Sequence, residues 1–363
     1  MKKLFSPLVV LALFQFPPRH YSHTRVEPPP VSQNLIIITL DGMRWQEIFH
    51  GADEALIGNE KFTSDTSLTR LRYWSDDPEE RRKKLLPFLW NVVAVKGQIW
   101  GNRDYHNNVN VANNYSISYP GYNEIFSGDT DPSISSNEKV LNEKENVLGY
   151  LNSLPSFREQ VAVFSSWDVF PCILNAGKND LFINSGYSPL PEAAPSPVAP
   201  LLNKVQETIT EKGETRQDML TFLAAREYLR KHHPRILYLA LGETDEAAHQ
   251  GKYDTYLSKA TEADQMIAEL WSLVQSTPGY HNNTTFIITT DHGRGAYRWT
   301  AHGPFIRGSS QTWMAIMGPS VKSKGEQKSR NQLYQQQLAP TIARVVGEEF
   351  KPAEAFAPAI PLQ

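Results

Sequence analysis

Residues 235–251 read RILYLALGETDEAAHQG and residues 284–293 read TTFIITTDHG, and these two stretches decide the fold. Each opens on a run of apolar and β-branched residues that reads as a strand. From Tyr253 to about Val274 the apolar residues fall at helical spacing, so the order is strand, helix, strand, the βαβ unit of a parallel sheet. Both strands run directly into acidic groups, Asp245 after the first and Asp291 after the second. Open α/β sheets present functional groups at the carboxyl ends of their strands.

Working outward, Leu35 to Leu40 (LIIITL) is a continuous apolar run, the pattern of a strand buried on both faces, and it delivers Asp41 to its end. Pro87 to Lys96 begins with proline at a first-turn position and stops at Gly97, which predicts a helix followed by a strand at QIWGN. Val161 to Phe170 predicts another buried strand running into a loop. Arg216 to Lys231 predicts a polar helix, Thr312 to Pro319 a last strand and Leu338 to Val346 a closing helix. Residues 186–200, rich in Pro and Ala, read as an exposed excursion. The fold class is therefore α/β, a doubly wound, mostly parallel sheet with helices on both faces, in a single domain over residues 30–363. The opening MKKLFSPLVVLALFQF pairs Lys2 and Lys3 with an apolar stretch too short to span a bilayer comfortably. Residues 1–26 are expected to be a secretory signal, or an uncleaved anchor that gives the chain its one membrane association. This places it outside the cytoplasm, in the periplasm or beyond.

With 363 residues, 40% of them hydrophobic, the chain can bury a large core. A formal charge of -3 gives no electrostatic footprint for nucleic acid, so phosphate recognition has to be local. Cys172 is the one cysteine, which excludes an internal disulfide and a thiolate-rich metal site; it reads as a small buried hydrophobe.

Asp41, the DEAAH run from Asp245 to His249, Asp291 with His292, and His302 form a series of carboxylates and imidazoles on separate segments. Two divalent ions need such a set, because no single loop can surround both. Gathered without cations the carboxylates would repel by about 4 kcal/mol per pair at ~4 Å and an effective dielectric near 20. Ser118, in YSISYPGYNEIFSG, is the candidate nucleophile. A serine hydroxyl is weak at neutral pH, and metal coordination is one way to activate it. No GxSxG elbow surrounds it, which disfavours an α/β-hydrolase triad.

LDGMRW, SYPGYNEIFSG, GETDEAAH, TTDHG and AHG together resemble the alkaline phosphatase superfamily, from Asp41 to the final helix. Within it the chain is similar to nucleotide pyrophosphatase/phosphodiesterases and to exported bacterial proteins labelled phosphatase-like or phosphoglyceromutase. The resemblance implies one metal held by Asp245, His249 and His302, and another held by Asp41, Asp291, His292 and the Ser118 oxygen. Zinc is the first expectation, with manganese the alternative. It implies a phosphodiesterase or phosphatase that acts on a small phosphoester through a phosphoseryl intermediate. Ser118, Tyr119, Pro120 and Gly128 match the spacing of the phosphodiesterase branch. Tyr122 stands where sulfatases of this superfamily carry arginine, which disfavours sulfate esters. Phosphoglycerate mutase chemistry is the rival within enzymes, disfavoured because the mutase branch carries a large second domain for which these residues leave no room. A catalytically silent metal-containing binding module is the rival outside them. Arg44 and Asn123, beside the strand-end motifs, are expected to contact the phosphoryl oxygens.

Overall fold

Strand β1 (Asn34–Leu40) is buried at every residue, and its side chains divide between two cores. Ile36, Ile38 and Leu40 enter one, while Leu35 and Ile37 enter the other. Alternate residues of a strand point to opposite faces, so a run of unbroken apolar character fits only a strand with a core on each side. The computed structural model describes residues 31–191, 197–351 and 357–363; the 1–26 segment and part of the Pro-rich excursion lie outside them. No helix among the described residues is long and apolar enough to cross a membrane.

The further strands are β2 (Gly97–Trp100), β3 (Asn107–Asn110), β4 (Val161–Ser165), β5 (Phe182–Ser185), β6 (Ile236–Leu241), β7 (Thr284–Thr289), β8 (Gln311–Thr312), β9 (Met314–Met317), β10 (Gly325–Glu326) and β11 (Asn331–Tyr334). Eight of them form one sheet in the order β10-β2-β9-β7-β1-β6-β4-β5. The run β7-β1-β6-β4-β5 is parallel, and β9 enters antiparallel to both β7 and β2. The fold is thus α/β with a mostly parallel mixed sheet. Its register matters for the site: Leu40 pairs with Leu241 and Thr39 with Thr289, so the carboxyl ends of β1, β6 and β7 lie side by side at one edge.

The βαβ reading of residues 235–293 corresponds to β6, β7 and a helix over Tyr253–Ser276. Its Tyr253, Tyr256, Leu257, Ala260, Ala263, Ile267, Leu270 and Val274 are buried, an apolar stripe at the spacing of one helix face. The helix predicted over Pro87–Lys96 contains a π-helical stretch, Leu89–Val93, before Ala94–Lys96. Two features escaped the sequence reading. The helix Val198–Thr208 starts within the Pro-rich stretch, and a second sheet, β11-β3-β8, is built from short polar strands such as NNVN that lack the apolar signal. Cys172, expected to be buried, packs against the second core while remaining half-buried.

Asp264, on the long helix, is buried and accepts hydrogen bonds from the backbone N–H groups of Phe88 at 2.7 Å and Leu89 at 2.9 Å. It thereby satisfies two amides at the start of the Leu89–Val93 helical segment. Burial pushes its carboxyl up to about 7, against the opposing effect of those amides. The folded protein therefore holds this proton more tightly than the unfolded chain, where the value is about 3.9, and stability falls as pH rises from about 4 towards 7. Asp264→Asn should flatten that part of the profile, shrinking the loss of stability between pH 5 and 7.5 by at least about 1 kcal/mol. Urea unfolding of both proteins at the two pH values checks this; an unchanged pH dependence in the variant would contradict it.

Candidate active site

Asp41 follows β1, Asp245 lies on the short helix Glu243–His249 that follows β6, and Asp291 comes two residues after β7. Three neighbouring strand ends thus aim carboxylates into one crevice. The four-residue spacing of Asp245 and His249 puts both on one face of their helix, with His249 Nε2 3.0 Å from Asp245 Oδ2. His302, on the loop after β7, brings its Nε2 to 2.9 Å from His249 Nε2 and 3.8 Å from Asp245 Oδ1. Asp41, Asp291 and His292 make a second, deeper cluster: His292 Nε2 lies 3.5 Å from Asp41 Oδ1 and 3.4 Å from Asp291 Oδ2. The rings of His292 and His302 stack with centroids 3.9 Å apart, so the two clusters adjoin.

Ser118 is the first residue of the buried helix Ser118–Ser127. Its Oγ lies 3.2 Å from His292 Nε2 and donates to Asp41 Oδ1 at 3.5 Å. The helix is entered through Ser116 in the left-handed region, φ 49, and Pro120 sits in the first turn, where a missing N–H costs nothing. Gly121 explains how the helix comes so close: a Cβ there would fall 2.5 Å from the carbonyl oxygen of Asp291. Tyr122, one turn on from Ser118, donates its hydroxyl to Asp41 Oδ2 at 2.9 Å, which turns Oδ1 towards the serine.

Electrostatics at the site follow from crowding. Burial, then Asp291 and Asp245, push the Asp41 carboxyl well above its usual range, and the Tyr122 hydrogen bond does not offset them. Burial raises Asp291 to about 7. Burial acts on Asp245 in the same direction, yet Arg294, His249 and His302 outweigh it and hold this carboxyl well below the usual range. Burial lowers His292 to about 4 and His302 to about 3, so both imidazoles are neutral near pH 7.

Whether these residues suit metal ions can be judged from the structure itself. Asp291 Oδ2 is fully buried without a hydrogen-bond partner, a costly state for a carboxylate oxygen unless a cation meets it. Nδ1 of His292 lies 2.9 Å from the Gly293 carbonyl oxygen, and Nδ1 of His302 lies 3.2 Å from that of Ser116. Each contact places the ring proton on Nδ1 and leaves the Nε2 lone pair facing the carboxylates, the usual arrangement of metal-bound histidine. Asp245, His249 and His302, and separately Asp41, Asp291 and His292, offer ligand atoms within 4.8 Å of one another. Oxygen and nitrogen donors of this kind fit zinc or manganese.

All seven residues expected to bind metal or act as nucleophile are brought together. Arg44 and Asn123 are not. Arg44 is buried and paired with Glu47, Nε donating at 2.8 Å, because the two lie three residues apart on the same turn. Asn123 is buried too, donating to the Asp129 carbonyl oxygen at 2.8 Å and accepting from Asn142 at 2.9 Å. Both side chains are engaged inside the fold rather than in the crevice, contrary to the expectation that they contact the phosphoryl oxygens. Sequence reasoning missed Arg294, whose guanidinium ion-pairs with Asp245; its signal was a charged residue between Gly293 and Gly295, immediately after the DHG motif.

Fold and site together define a hydrolase of the alkaline phosphatase superfamily. The sequence profile of the type I phosphodiesterase / nucleotide pyrophosphatase family matches residues 56–307, and the chain belongs to that family. This span contains Ser118, Asp245, His249, Asp291, His292 and His302; Asp41 precedes it and joins the site through β1. Comparison with curated proteins finds no match. Among solved structures, wild-type alkaline phosphatase PafA is 11% identical, with 91% of this chain and 98% of that one covered at a TM-score of 0.58. The phosphonate monoester hydrolase SpPMH from Silicibacter pomeroyi is 13% identical, with 87% and 73% covered at 0.54. A 2-O GAG sulfatase is also 13% identical, with 89% and 72% covered at 0.50. At these identities the likeness is one of fold, and fold alone does not select a reaction.

Cations entering the deeper cluster would have to displace the protons that the raised carboxyls of Asp41 and Asp291 retain, whereas His292 is already neutral. Proton release on zinc binding to metal-stripped protein should therefore be larger at pH 6 than at pH 8.5. Affinity should climb with pH up to about 7, where Asp291 ionises, and climb more slowly above it. Calorimetry in buffers of differing ionisation enthalpy measures this, and equal proton release at both pH values would contradict it.

Proposed function

We propose that the chain is an exported, metal-dependent phosphoester hydrolase in which Ser118 Oγ attacks phosphorus as the P–O bond to the ester's alcohol breaks and that alcohol leaves, after which water cleaves the Oγ–P bond, frees the serine and releases the phosphate. The observation that carries this reading is the position of Ser118 Oγ, 3.2 Å from His292 Nε2 and 3.5 Å from Asp41 Oδ1, at the first residue of a helix held against Asp291.

Two divalent ions, one per cluster, would lower the pKa of the serine hydroxyl and offset the charge of the phosphoryl oxygens. The chain's own residues supply the rest. Tyr122 orients Asp41 so that Oδ1 faces the serine, and the carbonyls of Gly293 and Ser116 fix the tautomers of His292 and His302. With its lone pair at Nε2, His292 neighbours the serine proton rather than donating one. Zinc suits the mixed carboxylate and imidazole set, and export is supported by Lys2 and Lys3 ahead of the short apolar stretch.

Charge selects among esters: a phosphate monoester offers two negative charges to the site, a diester or sulfate ester one. The spacing around Ser118 and the family both favour phosphoesters, and Tyr122 fills the place of a sulfatase arginine. Ser118→Ala should lower turnover more than about tenfold, at least ~1.4 kcal/mol in the barrier, while leaving the fold and metal content nearly intact. Assays with nitrophenyl phosphate, bis-nitrophenyl phosphate, nitrophenyl sulfate and a phosphoglycerate at equal concentration complete the test. A variant that keeps more than a tenth of the rate, a dominant sulfatase rate, or phosphoglycerate interconversion without free phosphate would overturn the reading.

A further inference from the structure

The two clusters are unlike in charge and in access. At the deeper one, Asp41 and Asp291 place two carboxylates beside His292, and the side chains of Asp291 and His292 have no exposure. At the other, Asp245 is the single carboxylate, and it already has a cation. Arg294 Nη1 ion-pairs with Asp245 Oδ1, while Nε and Nη2 each donate at 2.7 Å, to the carbonyl oxygens of Trp299 and Thr300. The guanidinium is itself fully buried. Gly42, in the left-handed region with φ 59, lies against this pair, and a Cβ there would collide with both Asp245 Oδ1 and Arg294 Nη1. Three anchors and a glycine therefore hold the arginine in place, and no hydrogen bond joins it to Asp41 or Asp291 among the described residues. His249, the outer ligand of this cluster, is 48% exposed.

We infer that Arg294 makes the two metal sites unequal: the cluster of Asp41, Asp291 and His292 keeps a resident ion, and the cluster of Asp245, His249 and His302 takes an ion that exchanges with the surroundings. The inference rests on the two-metal reading of the site. Formal charge is minus two at the first cluster and zero at the second once Arg294 is counted. One unit charge at ~5 Å from a divalent ion changes affinity by more than about a hundredfold, even at an effective dielectric near 20. Arg294 also occupies one oxygen of Asp245, leaving Oδ2 and the two imidazoles as that cluster's unhindered donors. Exposure of His249 gives the outer ion a direct route to water, while Asp291 and His292 at the inner cluster have no exposed side-chain surface. At limiting divalent metal the chain would hold one ion, and its activity would follow the supply of the second. Arg294 is in this sense a positioning residue: it acts on the metal through Asp245.

The test is a zinc titration of the chelator-stripped full chain against a chromophoric competitor, reading binding directly rather than turnover. Two steps separated by at least about a hundredfold are expected, and His249→Ala should abolish the weaker step while sparing the tighter one. Arg294→Gln should tighten the weaker step by about tenfold or more, and the tighter step, whose Asp41 and His292 feel the same charge from further away, by less. Because that variant removes a buried group, the wild-type and His249→Ala titrations decide the matter if it fails to fold. Two indistinguishable sites, or loss of the tighter step in His249→Ala, would overturn the inference and leave the two-metal reading standing. No zinc binding at all would overturn both.

Discussion

Three carboxylates at the ends of three adjacent parallel strands are the constraint on which the site depends. Parallel pairing of β1 with β6 and β7 in their observed registers leaves Asp41, Asp245 and Asp291 no way to avoid one another. Burial, and after it their mutual repulsion, raise Asp41 and Asp291, while Arg294 stabilises Asp245 as an anion. A fold that concentrates negative charge in a buried crevice needs cations there, which protons can supply and divalent ions would supply in the proposed metal-dependent enzyme. The histidines fit the second state, since both are neutral and turned with their lone pairs inward.

Placing a serine in the same crevice requires a second set of compromises. Ser116 adopts a left-handed backbone, and Gly121 lacks the side chain that would strike Asp291. These allow the helix Ser118–Ser127 to approach the end of β7 until Tyr122 reaches Asp41. Strain and close approach of this kind persist where function over-determines them. The SYPGY motif therefore records packing as much as chemistry: its serine faces the crevice, its proline fits a first turn, its glycine makes room and its second tyrosine orients a ligand.

Much of this was legible in the sequence because buried parallel strands leave a strong trace. LIIITL, RILYLALG and TTFIITTDHG each announced a strand with an acidic group at or just beyond its end. What the sequence hid was partnership. Arg44 lies near Asp41 in the chain and was expected to meet substrate, although Glu47 three residues on marked it for an internal pair. Asn123 follows the nucleophile by one turn and more, yet it is taken up by Asp129 and Asn142, a contact between segments that no local pattern encodes. Arg294 was passed over for the opposite reason, since a charged residue in a glycine-rich loop reads as solvated and here is swallowed whole. The small β11-β3-β8 sheet was missed because strands such as NNVN carry too few apolar residues to show a period of two.

The central claim is that Ser118 becomes covalently phosphorylated in this carboxylate-lined crevice. Acid quenching of the metal-loaded enzyme during turnover of nitrophenyl phosphate, followed by proteolysis and mass spectrometry, tests it most directly. The account predicts that the peptide containing Ser118, and no other, gains the mass of a phosphoryl group, with fragmentation placing it on that serine. Sustained turnover with the peptide unmodified at every quench time, or with the label on another residue, would contradict it.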